Sequence, residues 1–68
     1  MKPFELRLAE HHARNARHLK KLRNFVQDPV RFSRISPDEQ ELIKLQIANM
    51  ARLDEILMQR MHLHDIPV

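Results

Sequence analysis

From Pro3 to Gln27 no residue interrupts a helix, and Phe4, Leu8, His11, Asn15, His18, Leu22 and Phe25 recur at alternating spacings of four and three. That period predicts one long helix whose seam is apolar at both ends and polar in the middle. Leu19 and Val26 flank the seam, and Ala9, Ala13 and Ala16 form a stripe of small residues beside it. Asp28-Pro29 ends the helix, because the residue before a proline avoids the α region. Asp28 is also a good cap for one further turn through Val30-Arg31-Phe32. Ser36-Pro37-Asp38-Glu39 is the strongest start signal in the chain, with Ser at N-cap, Pro at N1 and Glu at N3. No breaker follows until Pro67, so a second helix is expected from Pro37 to about residue 63. It carries two apolar rows: Ile43, Ile47, Met50, Leu57 and Met61, and Leu42, Leu45, Leu53 and Ile56. Asp54 falls on the first row.

These elements predict an all-α, antiparallel two-helix hairpin with a short helical turn in its connector, filling residues 1–68 as one domain. Helix 1 is expected at 3–27, the connector at 28–36 and helix 2 at 37–63. If the chain turns near Phe32, residue i of helix 1 faces roughly residue 64 − i of helix 2. His11 then lies beside Leu53 and Asp54, and a His11–Asp54 pair would satisfy both polar groups inside the seam. One row of helix 2 is enough to pack on helix 1. The other is left bare on a single chain, which implies a homo-oligomeric helical bundle. The expected interface is Leu42, Leu45, Met50, Leu53, Ile56, Leu57 and Met61, and the methionines Met50, Met58 and Met61 suit an adaptable contact.

Composition narrows the classes. The chain has 68 residues and no Cys, so neither disulfides nor the usual zinc fingers can staple a small core. With no Gly, hairpin turns that need positive φ are disfavoured. No apolar run is long enough to span a bilayer. The first residues, Met1 to Arg7, lack the apolar stretch of a secretory signal. A cytoplasmic protein is expected. There are five His, but no HExxH, and His11 and His18 stand about 10 Å apart along the helix. No metal site and no cofactor is expected. Nor is an enzyme, since no nucleophile with a base and no phosphate-binding loop is present.

Charge divides the chain in two. Residues 1–36 hold nine Lys/Arg against three Asp/Glu, and residues 37–68 hold three against six. Arg7, His11, Arg14, His18 and Lys21 follow one another at four-three spacing on one face of helix 1, and Arg17, Lys20 and Arg23 widen it. Arginine forks bind phosphate oxygens bidentately. The anion-binding candidates are therefore Arg7, His11, Arg14, Arg17, His18 and Lys21. The plain alternative is a solvated basic face answered by the acidic second helix. Nucleic acid is a weaker partner, because Trp and Tyr are absent and no stacking platform results.

Leu19-Lys20-Lys21-Leu22-Arg23-Asn24-Phe25, then Phe32, then Pro37-Asp38-Glu39-Gln40-Glu41-Leu42, then Gln46, Met50, Ile56-Leu57 and Arg60 form a further pattern. Over residues 10–61 it resembles a family of very short helical-hairpin proteins of tailed phages, related to an uncharacterised protein of crAss-like phages. The resemblance implies a phage accessory product that binds and disables something in the host cytoplasm. Joined to the basic face, it suggests sequestration of an anionic host molecule such as a nucleotide signal. An inhibitor of a host protein and a nucleic-acid-binding protein are the alternatives.

Overall fold

The computed structural model describes residues 2–67. It contains α1 (Pro3–Gln27), α2 (Pro29–Ser33) and α3 (Pro37–Leu63), and no strand among the described residues. The molecule is a rod of 44 × 15 × 15 Å.

Local chemistry sets each boundary. At the start of α1, Glu5 Oε1 accepts a hydrogen bond from the Lys2 backbone N–H at 3.0 Å, and Pro3 fills a position whose missing N–H costs nothing. Asp28 Oδ1 accepts from the N–H groups of Val30 and Arg31, capping α2 one residue after α1 stops. Ser36 Oγ accepts from Glu39 N–H at 3.2 Å and caps α3. The bend between the long helices is held from inside. Phe25 and Phe32 pack edge to face with centroids 6.2 Å apart, and Arg31 lies 5.0 Å over the Phe25 ring. Gln40 Nε2 donates to the carbonyls of Phe32 and Ile35.

Three contacts show how the long helices lie. Asn15 meets Met50, His12 meets Asp54 and Phe4 meets His64, so positions rise along α1 as they fall along α3. The main core sits at the end where the termini lie, and consists of Leu8, Leu57, Met61 and Ile66, with Ala9 and Leu53 packed against it. Leu19 is buried separately, nearer the bend. Between them lies a polar layer. Asn15, 7% exposed, donates from Nδ2 to the Met50 carbonyl at 3.0 Å.

The α1 seam is turned from the expected one. Leu8, His12, Asn15, Leu19 and Leu22 are buried or half-buried, whereas His11 and His18 are exposed. Leu8, Asn15 and Leu22 belong to either arrangement, and burial of Leu19 in preference to His18 decides between them. The expected His11–Asp54 pair is replaced accordingly by His12–Asp54, with Nε2 3.1 Å from Oδ1. His12 Nε2 is buried without a formed hydrogen bond, so the two side chains are in close polar contact only.

On α3, the row Ile43, Ile47, Met50, Asp54, Leu57 and Met61 faces α1, and every member is buried or half-buried. Leu57 and Met61 are 1% and 3% exposed within a single chain, so they form its core and are not available as interface residues. Met58 is half-buried. In the other row, Leu42 and Leu45 are each 61% exposed and Ile56 is 40% exposed, while Leu53 is half-buried.

α3 ends at Leu63, where expected, but the cap that follows it lies beyond the helical period. Asp65 takes a left-handed conformation at φ 52°, Asp65 N–H donates to the His62 carbonyl, and Ile66 N–H donates to the Met61 carbonyl at 2.9 Å. This is a Schellman cap, with Ile66 as its apolar contact folded back onto the core. The position ordinarily favours Gly, which the chain lacks. Asp65→Gly should therefore raise unfolding stability, by up to about 1 kcal/mol. Leu57→Ala should cost about 2–5 kcal/mol in urea unfolding. Leu6→Ala, at a position 52% exposed on α1, should stay within about 0.5 kcal/mol of the parent.

Candidate anion-binding face

The rotation of α1 settles where the basic side chains point. Arg7, His11, Arg14, Arg17, His18 and Lys21 are all exposed. The row from Arg7 to Lys21 runs about 21 Å along the helix, on a flank roughly 100° round from the buried seam. Seam and stripe therefore share no histidine. His11 and His18 belong to the surface, and His12 alone belongs to the interior layer. Among the described residues, none of the six stands in an ion pair. The pairs present are His12–Asp54, Lys44–Glu41 and Arg52–Glu55. Asp54, Glu41 and Glu55 of α3 are engaged in these contacts, whereas Glu10, exposed three residues after Arg7 and four before Arg14, is the one carboxylate beside the α1 row.

Two of the residues expected to widen the row do not. Lys20 and Arg23 lie on the opposite flank, where they line an open depression with Ala16, Leu19, Asn24, Gln27 and Asp54. Arg17 remains beside the row.

At its N-terminal end the row deepens into a notch of about 220 Å³, lined by Phe4, Arg7, Leu8, His11 and Arg60. The notch is open, and Arg7 and His11 of α1 and Arg60 of α3 line it beside the buried Leu8. Phe4 forms one wall and is steadied by His64, whose ring meets it edge to face at 5.0 Å. Phe4 and Arg60 are the site residues that reading the sequence missed. Phe4 is explained equally well as a seam residue, and Arg60 as one half of a surface ion pair. The roughly 64 − i pairing did carry the signal, since it sets residue 60 opposite residue 4.

The chemistry of this arrangement suits anions. Arginine forks and a backing imidazole match phosphate or carboxylate oxygens. The notch is smaller than the ~300–1,000 Å³ of ordinary small-molecule sites, so it suits one charged group of a larger ligand. Among the described residues no group of three His, Cys, Asp or Glu could hold a metal ion, and no helix is long and apolar enough to cross a membrane.

No curated protein and no solved structure gives a match to the chain. Residues 2–63, nearly its whole length, match the model of the Sequestin family, and the chain belongs to that family, whose name denotes sequestration.

Proposed function

We propose that this protein is a non-catalytic phage accessory protein that sequesters an anionic host molecule of the nucleotide class, working as an oligomer of helical hairpins. The observation that carries the reading is the unpaired basic row of α1, ending in the Phe4–Arg7–His11–Arg60 notch. Membership of a family named for sequestration supports it.

In this reading the notch seats a terminal phosphate between Arg7 and Arg60, and Phe4 covers it on one side. The remainder of the ligand lies along the row, where Arg14, His18 and Lys21 meet further oxygens or a base face. Stoichiometric capture needs no reaction. It needs only an affinity high enough that the free ligand falls below the level its own receptor detects. Duplex or single-stranded nucleic acid fits less well. Phe25 and Phe32 are committed to each other at the bend, leaving no succession of aromatic platforms for bases.

Isothermal titration with adenosine diphosphate and with pyrophosphate tests the reading. Both should bind, and Arg14→Glu or Arg60→Glu should weaken binding by about tenfold or more. That matches the loss of one charge-assisted contact worth about 1.5–3 kcal/mol. Far-UV circular dichroism should be unchanged, because both side chains lie outside the core. Absence of binding by the parent protein, or equal affinity in parent and variants, would reject the site.

A further inference from the structure

The bare row of α3 reads the same in both directions. Asp38, Leu42, Leu45, Asn49, Leu53, Ile56 and Arg60 follow at spacings of 4, 3, 4, 4, 3 and 4, centred on Asn49. Apolar residues stand at matching distances on either side of the asparagine. The two ends carry opposite charges. Leu42 and Leu45 are each 61% exposed and Ile56 is 40% exposed, and Asp38, Asn49 and Arg60 are exposed as well. Over the first half of the row the surface sinks into an apolar groove of about 430 Å³, lined by Leu42, Leu45, Gln46, Asn49, Met50 and Leu53.

We infer that this row is the interface with a second copy of the chain, packed antiparallel α3 to α3 about a two-fold axis through Asn49. The inference rests on the reading that the protein self-associates, and it shares only Arg60 with the anion site. A two-fold contact requires a surface complementary to itself, so that residue i of one protomer meets residue j of its partner and j meets i. The row meets that condition. Leu42 of one protomer faces Ile56 of its partner, Leu45 faces Leu53, and Asn49 faces Asn49. Each groove takes the partner's Leu53 and Ile56.

Charge selects the direction. Antiparallel packing brings Asp38 against the partner's Arg60 at both ends, whereas parallel packing would set Asp38 against Asp38 and Arg60 against Arg60. The central asparagine pair has only one register in which its amides meet, which is the known use of a lone polar residue in an apolar helix seam. The row repeats every eleven residues, a period of about 3.67 per turn, close to that of an undistorted helix, so the two helices need little supercoiling to stay in contact. A single chain of this size has too few buried residues to dispense with such a partner: its fully buried apolar set is Leu8, Leu19, Leu57, Met61 and Ile66. Arg60 stands where the notch and the interface adjoin, so each anion site lies at the edge of the dimer contact.

Because the native chain has no cysteine, single introduced thiols report the register directly. Sedimentation of the full chain should give a dimer or a multiple of it, and Leu45→Glu should give a monomer that keeps its helical circular dichroism. Under mild oxidation Asn49→Cys should form a disulfide with itself. Leu42→Cys should link to Ile56→Cys when the two chains are mixed, and not to itself. A parent chain that sediments as a monomer across the micromolar range, or a Leu42→Cys chain that links to itself, would overturn the inference. Should Leu45→Glu fail to fold, the thiol pattern decides alone. A dimer that ignores adenosine diphosphate counts against the anion reading only, and a monomer that binds it counts against the dimer only.

Discussion

One side-chain amide fixes how the two long helices meet. Asn15 reaches across to the Met50 carbonyl from a position only 7% exposed, and a buried amide with one available partner tolerates neither sliding nor rotation of α1. A turn along the helix, His12 lies beside Asp54 and adds a second polar contact in the same register. Apolar side chains alone would define this weakly, since Leu, Met and Ile exchange neighbours at little cost. The polar layer supplies specificity, and the cluster around Leu57 supplies most of the burial.

The surface follows from that register. With Asn15 inward, Leu8 and Leu19 are inward too, and Arg7, His11, Arg14, His18 and Lys21 are carried together onto one exposed flank. Arg60 comes up from α3 to close the end of the row. On α3 the choice of inward face takes Ile43, Ile47, Leu57 and Met61 and leaves Leu42, Leu45 and Ile56 in water. One helix thus offers a basic surface and the other an apolar one, from a chain with almost no interior. Such a division fits the proposed reading, in which a second copy covers the apolar row and the charge is left for a ligand.

The helix limits were readable because their causes are local. Asp28 and Ser36 cap helices through bonds to residues two or three positions away, and proline acts on its immediate neighbours. The rotation of α1 was not readable with the same certainty. Leu8, Asn15 and Leu22 fit two seams, one through His11 and His18 and the other through His12 and Leu19, and only contact with α3 separates them. Ile66 escaped notice because it enters the core after the helical period has ended, through a left-handed residue that is not glycine. The basic row was visible from spacing alone. Its notch was not, because Phe4 and Arg60 are brought together by packing.

Histidine side chains offer the sharpest test, since His11 and His18 share the exposed face of α1 whereas His12 lies in the seam. In a nuclear magnetic resonance titration with adenosine diphosphate, the imidazole signals of His11 and His18 should move together as ligand is added. Those of His12, enclosed beside Asp54, should stay in place. If His12 responds while His11 and His18 do not, or if no imidazole responds, then the basic face of α1 is not the surface on which this protein holds its ligand.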